Sequence, residues 1–578
     1  MMTIPEKTWQ PRAAKPSEAE LQQLALGLNV EPLTARALLY RGIDSISSGR
    51  EFLEARLQAL PDPDLLPDMA LATARLEQAL RHAERIAVHG DYDVDGITGC
   101  SLLVETLRLL GAAVEYHIPL RLKDGYGLSA DAIRQAHANG CRLLVSVDCG
   151  VSAVAEAELA AELGLDLIVT DHHQPSASLP VCLALVNPHL PGSRFPWKEL
   201  SGVGVAFFLL VGLRRSLREN GYFSERPEPD LRQGLDLVAL GTIADIVPLG
   251  GINRILVRAG LERLEDSLRP GIQALKKVAE VKEVSCGAVG FRMAPRLNAA
   301  GRLEDAALGV RLLLAEQPAE AEELAALLDG FNRQRQKIEQ QTLEQAIEIV
   351  EQQQAGQPYS LVLADERWHS GVIGIVASRL VERYHCPVVM IAVADGQGKG
   401  SARSIRNFDL YRALQACASS LDSYGGHVMA AGLSLAQSGI DGFRGQFDAV
   451  ARQTLSADDL LPRLMHDGET ELTALGLAQV QELERLSPFG AGNPQPAFVS
   501  RQVAATAPKI VGKTHLRFDA EQQGTRIACI AFGMAERIAE LPARIDILYR
   551  PGLNSWRGRS SVQLQIADFR AAGPETGP

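Results

Sequence analysis

Three short stretches of the chain place aspartate and histidine at spacings that suit a divalent-metal site. They contain His89, Asp93 and Asp95, then Asp148, and finally Asp171, His172 and His173. Carboxylates packed together repel one another unless a cation neutralises them. Mixed imidazole and carboxylate ligands suit manganese, and magnesium less well. We therefore predict a divalent-metal centre, with manganese preferred and magnesium possible.

A fourth acid, Asp245, lies within an apolar run of the sequence. A carboxylate in such surroundings needs a partner, and a metal ion would provide one. The candidate ligands are His89, Asp93, Asp95, Asp148, His172 and Asp245. They are more than one tetrahedral site uses, so we predict two ions, and Asp148 could bridge them. Two ions roughly 3.5–4 Å apart can activate water and stabilise a phosphoryl oxygen.

Each of these residues also has an ordinary structural interpretation. A single aspartate after a strand is usually a helix N-cap, which would account for Asp148 or Asp171 taken alone. A lone histidine is usually packed or solvated, and we interpret Asp91 as an acid that braces its loop. Three strand ends that all carry such residues favour a shared metal site over three independent caps.

The elements that must position these side chains are predicted to be alternating strands and helices. Apolar strands at Arg85–Val88, Leu143–Val147 and Leu167–Thr170 each directly precede one stretch, and Ile97–Leu110 has the pattern of an amphipathic helix. This alternation predicts an α/β fold with a parallel, doubly wound sheet. Ligands bind at the carboxyl ends of such strands, so the acids and histidines should meet in one crevice.

The rest of the chain is predicted to add a second α/β domain and a small β-barrel. A polar stretch rich in Glu, Gln and Ala predicts a long connecting helix, and short strands after residue 514 predict an OB-like barrel, with a turn at Arg550-Pro-Gly. The predicted ranges are a helical segment at 1–70, a catalytic domain at 71–315, the connecting helix at 316–355, the second α/β domain at 356–455 and the barrel at 456–578.

Composition excludes several classes of protein. No run of 18 apolar residues predicts a membrane span, and the N-terminus has no apolar signal-peptide core. The eight cysteines form no Cys-x-x-Cys pair, so a reducing cytoplasm is expected. The net charge of −12 argues against a nucleic-acid binder, but residues 501–570 carry eleven Lys or Arg against six Asp or Glu. The cations that phosphates need are therefore concentrated in the predicted barrel.

These motifs resemble the DHH phosphoesterase family, which is named for the triplet seen here at 171–173. The stretches around Asp93, Asp148 and Asp245 look like its other motifs. The run 425–432 looks like the glycine-rich signature of the DHH-associated domain, and 295–302 and 401–404 look like motifs of the RecJ branch of the family. The resemblance extends from about residue 70 to 500 with the motif order intact. It implies a catalytic DHH domain joined by the long helix to a DHH-associated domain.

The resemblance also implies roles for individual residues. The metal ligands would fall into two sets that share one acid, namely His89, Asp93 and Asp148 for one manganese and Asp95, Asp148, His172 and Asp245 for the other. His173 would lie near the scissile phosphate and complete the catalytic set. The implied activity is 5′→3′ hydrolysis of single-stranded DNA to 5′-mononucleotides in DNA repair and recombination.

Residues outside the metal stretches are candidates for holding the substrate. They are Arg121, Arg296, Asn298, Ser401, Arg403 and His427. The resemblance implies that Ser401, Arg403 and Arg296 bind a 5′-terminal phosphate, and the alternative is that the arginines form salt bridges between the lobes. In the barrel, Trp556 and Tyr549 are interleaved with cations and could stack on bases, while the alternative for Trp556 is a half-buried core position.

Two other functions and several partners remain open at this point. The same two lobes could serve a phosphodiesterase of short oligonucleotides or cyclic dinucleotides, or a catalytically dead scaffold, although every candidate ligand is present. A single-strand-binding protein and a RecQ-type helicase are implied as partners by the resemblance alone. We expect a monomer in the bacterial cytoplasm, associated with the nucleoid when it acts on DNA, and no contact with membranes.

Overall fold

The computed structural model describes residues 6–120, 125, 127–352, 358–556 and 559–573 of the chain. Two compact units emerge from the contacts within the chain. The smaller comprises Met1–Gln10 and Gly330–Leu464, and the larger comprises Pro11–Asp329 and Met465–Pro578. The N-terminal helices, the first α/β region and the barrel thus belong to one unit. In the described residues, no helix has the length and apolar character needed to span a bilayer.

The N-terminal region begins with a strand that local sequence did not predict. Its elements are β1 (Thr8–Pro11), α1 (Glu18–Leu28), α2 (Pro32–Leu39) and α3 (Ile46–Glu54). The Thr8 N–H donates to the carbonyl of Pro462, which lies 454 residues away in sequence. Strand β1 was not among the predicted elements, because a partner so distant leaves no local sign.

A five-stranded parallel sheet forms the centre of the larger unit, as the strand and helix alternation predicted. Its strands and flanking helices are α4 (Met69–Arg81), β2 (Arg85–Gly90), α5 (Val94–Leu109), β3 (Ala113–His117), α6 (Ala130–Ala138), β4 (Leu143–Val147), α7 (Val154–Glu162), β5 (Asp166–Thr170) and β6 (Ala184–Val186). The strand order is β3-β2-β4-β5-β6. Because the chain leaves β2 in one direction and returns beyond it to β4, the topological switch point lies between β2 and β4. Ligands bind at such points in open α/β sheets.

Helices follow the parallel sheet up to the end of the long helix. They are α8 (Gly202–Glu219), α9 (Leu235–Ala244), α10 (Gly251–Glu265), α11 (Pro270–Val278), α12 (Cys286–Ala288), a π-helical turn (Val289–Met293), α13 (Ala294–Leu303), α14 (Ala307–Leu314) and α15 (Pro318–Gln352). The long helix α15 falls within the predicted 316–355. Its residues up to Asp329 belong to the larger unit and those from Gly330 to the smaller one.

The smaller unit contains a mixed five-stranded sheet. Its elements are β7 (Leu361–Asp365), α16 (Ile373–Tyr384), β8 (Val388–Ala394), β9 (Gln397–Arg403), α17 (Leu410–Ala416), β10 (Ser423–Gly426), β11 (Ala430–Ala436) and α18 (Ile440–Thr454). The strand order is β10-β11-β9-β8-β7, and among these pairs only β7 and β8 run parallel. The second α/β region predicted from the sequence is confirmed.

A closed barrel completes the larger unit. After β12 (Arg463–His466) and α19 (Leu477–Leu483), its strands are β13 (Phe498–Val511), β14 (His515–Gln522), β15 (Thr525–Ala531), β16 (Arg544–Trp556) and β17 (Arg559–Ala571). The closed order is β13-β14-β15-β17-β16, so the predicted small barrel is confirmed. Strand β13 was not among the predicted strands.

The predicted turn at Arg550-Pro-Gly is wrong, because these residues lie inside β16. Pro551 pairs with Leu564 of β17, whereas the pairing of β16 with β13 runs only from Arg544 to Tyr549. Beyond Tyr549, β16 pairs with a strand on one side only among the residues that the structure describes. A proline is tolerated at such an edge because no ladder hydrogen bond is required from its nitrogen on the open side.

Candidate active site

The carboxyl ends of β2, β4 and β5 lie level with one another at one edge of the parallel sheet. The register pairs Gly90 with Val147, and Val147 with Thr170. The residues that follow these three strands therefore start from the same edge. This alignment brings together side chains that are about 80 residues apart in sequence, and the switch point lies between the first two strands.

Asp93 begins α5 as its N-cap. Its Oδ1 atom accepts from the backbone N–H groups of Asp95 at 2.9 Å and Gly96 at 3.1 Å. The cap does not exclude a ligand role for this residue, since the second carboxylate oxygen is not used by the cap. Capping fixes the direction of the carboxylate relative to the strand end.

Asp95 is fully buried and joins α5 to the N-terminus of α8. Its Oδ2 atom accepts from the Gly202 N–H at 2.5 Å, and its Oδ1 atom from the Val203 N–H at 2.9 Å. A helix N-terminus is a favourable place for a negative charge. Burial nevertheless raises the pKa of Asp95 well above its usual value, and the charges of Asp245 and Asp93 raise it further.

Asp148 leaves β4 with φ of 63°, in the left-handed region that aspartate adopts more readily than most residues. Its N–H donates to the carbonyl of Thr170, which extends the ladder by one residue before the chain turns. A Cβ atom at Gly202 would lie 2.6 Å from the Cβ of Asp148, so only glycine lets α8 approach this closely. Burial raises the pKa of Asp148 well above its usual value, and the neighbouring charges of Asp95 and Asp93 add to the rise.

His172 places its Nε2 atom among three carboxylates. The atom lies 3.1 Å from Oδ1 of Asp148, 3.6 Å from Oδ2 of Asp245 and 3.8 Å from Oδ2 of Asp95. Asp245 is the C-cap residue of α9. Burial raises the pKa of Asp245, while the charge of His172 opposes that rise. Residues from β4, β5 and α9 thus converge on one point.

His173 is oriented by Asp171. The Oδ1 atom of Asp171 lies 2.8 Å from Nδ1 of His173 and accepts from the backbone N–H groups of His172 and His173, and its Oδ2 atom accepts from the Val151 N–H at 2.9 Å. Burial lowers the pKa of His173, but the hydrogen bond and charge of Asp171 outweigh it and raise the pKa to about 9, with help from Asp245. The Nδ1 atom is thus engaged by Asp171, which fixes the orientation of the imidazole.

The donor set of this cluster fits divalent metal ions. In the part of the chain that the structure describes, three groups of side chains have ligand atoms within 4.8 Å of one another, namely Asp148, His172 and His173, then Asp95, His172 and Asp245, and finally Asp91, Asp93 and Asp148. Within the described residues, Nε2 of His172 and Oδ2 of Asp245 are buried and make no hydrogen bond, although they lie 3.6 Å apart. Buried polar atoms are normally hydrogen-bonded, so such a pair is accounted for by a cation between them.

Most of the predicted ligands are brought together, and one is not. Asp93, Asp95, Asp148, His172 and Asp245 all belong to the three groups. His89 belongs to none of them. Its Nε2 atom lies 3.1 Å from the carbonyl of Gly127, and its ring stacks on His117 with centroids 5.2 Å apart. The ligand role of His89 therefore stays a prediction.

Asp91 is a candidate that the sequence interpretation missed. It is 2% exposed and lies in one group with Asp93 and Asp148. The interpretation of Asp91 as a loop-bracing acid gave it no role in metal binding. The signal that could have identified it was its spacing of two residues before Asp93, which continues the alternation of acids in this stretch.

Two of the predicted substrate residues of the larger unit can be placed, and Arg121 lies outside the described residues. Arg296, on α13, forms an ion pair with Asp329 at 2.9 Å and also donates to the carbonyls of Arg292 and Val278. The alternative considered for the arginines was a salt bridge between the lobes. The salt bridge of Arg296 lies within one unit. Asn298 lies half-buried on the same helix.

The substrate residues of the smaller unit lie on its sheet. Arg403 donates to the hydroxyl of Ser401 at 3.2 Å and to the carbonyl of Ala402 at 2.8 Å. A Cβ atom at Gly374 would lie 2.8 Å from Oγ of Ser401 and 3.0 Å from Nη2 of Arg403, so both polar groups lie against the first turn of α16. A helix N-terminus beside an arginine and a serine is a favourable anion site. His427 is exposed in the turn between β10 and β11.

The predicted stacking role of Tyr549 is wrong. Its side chain is fully buried inside the barrel, and its hydroxyl lies 2.9 Å from Oγ of Ser500. The residue faces inward because side chains alternate along β16, and a ring without solvent access cannot stack on a base. The side chain of Trp556 lies outside the described part of the structure.

Three family descriptions match parts of the chain. The DHH family, N-terminal domain, matches residues 85–242, the DHHA1 domain matches residues 357–453, and the RecJ OB domain matches residues 466–568. The first match covers the parallel sheet with most of the metal-ligand candidates. The third covers nearly all of the closed barrel.

Several relatives match nearly the whole length of the chain. The single-stranded-DNA-specific exonuclease RecJ of Bacillus subtilis (strain 168) is 40% identical over 562 residues, which cover 96% of this chain and 70% of that protein. The protein of the same description from Escherichia coli (strain K12) is 38% identical over 563 residues, 94% and 96% of the two chains. The crystal structure of RecJ in complex with Mn²⁺ from Thermus thermophilus matches with a TM-score of 0.84 at 33% identity, covering 98% of this chain and 80% of that one. The chain therefore belongs to the RecJ family of DHH phosphoesterases.

Proposed function

We propose that the chain is a metal-dependent exonuclease that degrades single-stranded DNA from the 5′ end and releases 5′-mononucleotides during DNA repair and recombination. The observation that carries the proposal is the convergence of His172 Nε2 on Asp148, Asp245 and Asp95. Relatives at 38–40% identity are described as single-stranded-DNA-specific exonucleases. Acids and imidazoles arranged in this way serve phosphodiester hydrolysis in two-metal sites.

The residues of the cluster would hold two divalent ions. Asp93 and Asp148, with Asp91 or His89, would hold one, and Asp95, His172 and Asp245 would hold the other, with Asp148 as the shared ligand. Manganese and magnesium are the candidates, since the Thermus RecJ structures are described with each of them. Bound ions would supply Lewis-acid stabilisation of the phosphate and lower the pKa of water.

His173 is the group of this chain that would act on the substrate itself. Asp171 fixes the imidazole through Nδ1 and supports the charged form of the ring, so Nε2 would hold a proton. A charged imidazole at this position would stabilise developing charge on the scissile phosphate or deliver a proton to the leaving oxygen.

The 5′ polarity is proposed to come from the smaller unit. Ser401 and Arg403 lie against the first turn of α16, where backbone N–H groups and a guanidinium can share one phosphate. Asn298, His427 and Arg121 remain further candidates for contact with the strand. Arg296 is proposed to order the α13 region through Asp329 in addition to any contact with phosphate.

The remaining predictions belong to the same proposal. We propose the domain ranges predicted from the sequence, with a helical segment at 1–70, a catalytic domain at 71–315, a connecting helix at 316–355, a DHH-associated domain at 356–455 and a barrel at 456–578. The barrel would hold the strand behind the scissile bond. We propose a monomer that acts in the bacterial cytoplasm at the nucleoid, with a single-strand-binding protein and a RecQ-type helicase as partners.

A product-length assay tests the function directly. A 3′-labelled, 5′-phosphorylated single strand is incubated with the protein and manganese, magnesium or EDTA, and fragment lengths are followed in time. Stepwise shortening from the 5′ end with either metal, and none with EDTA, is expected. An intact strand with both metals would contradict the proposal. Cleavage confined to dinucleotides would instead favour the phosphodiesterase of short substrates.

A further inference from the structure

Ile246 ends helix α9 in a backbone conformation that suits its residue type poorly. It follows the C-cap residue Asp245 with φ of 65°, and its N–H donates to the carbonyl of Ile243 at 3.3 Å. Helices commonly end with one residue in this left-handed conformation, which is usually glycine and sometimes asparagine. For a β-branched residue the conformation is a genuine outlier. The isoleucine therefore strains the end of α9.

The strain at this position is not a general feature of the chain. Among the residues that the structure describes, Ile246 is the only β-branched one with a positive φ, and the other non-glycine residues with positive φ are alanines or have polar side chains. Ala83 shows the same type of helix end with a small residue. It follows the C-cap residue of α4 with φ of 51°, and its N–H donates to the carbonyl of Leu80 at 3.4 Å.

Packing within the chain does not compensate for this strain. Ile246 is 73% exposed, whereas Ile243 of the same helix is 8% exposed. An apolar side chain that stays in water contributes no free energy of burial, so glycine at position 246 would suit the free protein better. Strained residues persist where the surroundings or the function of a site require them. We therefore expect the side chain to be covered while the protein works.

The strained residue directly follows a candidate metal ligand. The Oδ2 atom of Asp245 lies 3.6 Å from Nε2 of His172, which lies 3.1 Å from Oδ1 of Asp148. Consecutive Cα atoms are about 3.8 Å apart, so a nucleotide held at this centre comes within reach of the Ile246 side chain. The phosphate oxygens would face the ions. The base is the part of a nucleotide whose face can cover an aliphatic side chain.

We propose that Ile246 packs against the base beside the scissile phosphate and that this contact compensates for the strain at the end of α9. The inference rests on the proposed function and deepens it, because it assigns a residue that positions the nucleotide for cleavage. An aliphatic side chain reads no hydrogen-bonding edge, and every base has a face to offer, so the contact is independent of sequence. In a duplex that face stays stacked inside the helix until the base is extruded.

Three substitutions separate the side chain from the backbone strain. Ile246→Gly removes both, and Ile246→Asn removes the apolar contact but tolerates the left-handed conformation. Both should raise the urea midpoint of unfolding in EDTA and lower kcat/KM roughly 10- to 150-fold, the range for an isoleucine side chain returned to water. Ile246→Leu keeps an apolar side chain and should retain most of the activity.

Ala83→Gly is the matched control for the relief of strain. Ala83 is exposed, ends a helix in the same way and precedes the amino end of β2, whereas the metal-ligand candidates follow the carboxyl ends of the strands. The substitution should raise the urea midpoint as Ile246→Gly does and leave cleavage unchanged. An equal loss of cleavage in the two variants would overturn the inference, because flexibility at a helix end would then explain both.

Manganese binding tests whether Ile246 acts only through its neighbour Asp245. The rise of the thermal midpoint on addition of manganese should be the same for the wild type, Ile246→Gly and Ile246→Asn. If this rise is lost in parallel with cleavage, the side chain orients a ligand instead of a base, and the inference is overturned.

Strands that lack one base test the contact itself. An abasic residue is placed at the first, second or sixth position of a 5′-phosphorylated strand, and the rate of the first cleavage is measured for the wild type and Ile246→Gly. Loss of the base at the first or second position should slow the wild type and remove the difference between the two proteins. At the sixth position the full difference should remain. A difference that persists at both the first and the second position would overturn the inference.

Failure of this inference can be distinguished from failure of the proposed function. If the wild type does not shorten a 5′-phosphorylated strand with manganese, the proposed function fails and the contact with it. If the wild type shortens the strand and Ile246→Gly does so at the same rate, the proposed function stands and only the assignment of Ile246 is overturned.

Discussion

Two buried acidic centres of the larger unit are neutralised in opposite ways. Asp467 is fully buried, and its Oδ1 atom lies 3.0 Å from Nε of Arg12 and 3.2 Å from Nη1 of Arg41. Asp148 is 2% exposed, and its described neighbours in the cluster are acids and histidines. A buried carboxylate that serves the fold receives arginines from the chain, whereas the cluster at the strand ends depends on cations from solution. The pairing of a buried acid therefore distinguishes a structural centre from a candidate metal centre.

The largest effect is expected from a substitution in the proposed metal centre. Asp148→Asn should reduce cleavage by roughly three orders of magnitude or more, because it removes the proposed shared ligand. The free energy of unfolding in EDTA should not fall, since the substitution removes a charge that burial and neighbouring acids disfavour. Cleavage rate and chemical denaturation of the same preparation provide both values. Asp131→Asn, at a side chain 96% exposed, is the control, and near-wild-type cleavage by Asp148→Asn would rule out the site.

The reverse result is expected at the arginine-paired acid. Asp467→Asn should lower the free energy of unfolding by about 3–5 kcal/mol, because it leaves the buried guanidinium of Arg41 without its counter-charge. Cleavage per folded molecule should change little. Urea denaturation measures this loss of unfolding free energy. If Asp467→Asn loses less than Asp131→Asn, which breaks the exposed ion pair with Arg134, the two centres do not differ in this way.

Metal addition sharpens the comparison from the other side. Manganese at about one hundred times its dissociation constant should raise the free energy of unfolding of the wild type by about 2.7 kcal/mol. Asp245→Asn should lose most of this stabilisation, and the Asp467 variant should keep it. Thermal unfolding with and without manganese gives the comparison. Equal stabilisation of the wild type and Asp245→Asn would place the ion elsewhere.

A smaller effect is expected at Asp171, which is buried but paired with a histidine instead of an arginine. Asp171→Asn should reduce cleavage about 10- to 100-fold, the range for losing a residue that orients a functional imidazole. It should leave binding of manganese nearly unchanged. Steady-state rates beside metal titrations separate the two roles, and an equal loss of metal affinity would make Asp171 part of the metal centre.

The smallest effect concerns the proposed phosphate site on the smaller unit. Arg403→Gln should weaken use of a 5′-phosphorylated strand about tenfold relative to a 5′-hydroxyl strand, as expected for one lost charge-assisted hydrogen bond. Arg412→Gln, at a side chain 85% exposed, is the control. Competition between the two labelled strands measures the preference. An equal decline on both would remove the assignment of 5′ recognition to Arg403.

Sequence alone located the strand ends because local patterns specify them. The apolar run Leu143–Val147 is bounded by the same residues in the structure, and its flanking acids follow directly. The sequence indicated that the carboxylate of Asp245 needs a partner. No local pattern indicated that α9 would bring it close to Asp148, which follows β4. The inward direction of Tyr549 continues the alternation of the buried Ile545 and Ile547 along β16, a pattern that the stacking prediction did not take into account.

Partners distant in sequence explain the remaining differences. Arg296 pairs with an acid 33 residues away on α15, and no spacing rule links the two positions. Asp91 was missed because a loop acid has many ordinary roles, and the position of its carboxylate relative to Asp93 and Asp148 depends on how the chain turns after β2. Local chemistry thus indicates which residues are candidates, and tertiary geometry selects among them.

Gly202 lies between the two chain segments that bear Asp95 and Asp148, and its lack of a side chain lets them come close together. Its N–H is bonded to one carboxylate while its α-carbon faces the other at a separation that excludes a methyl group. A side chain at 202 would collide with Asp148, so either α8 or the turn after β4 would have to shift. The contact between the first turn of this helix and both acids therefore depends on the missing side chain.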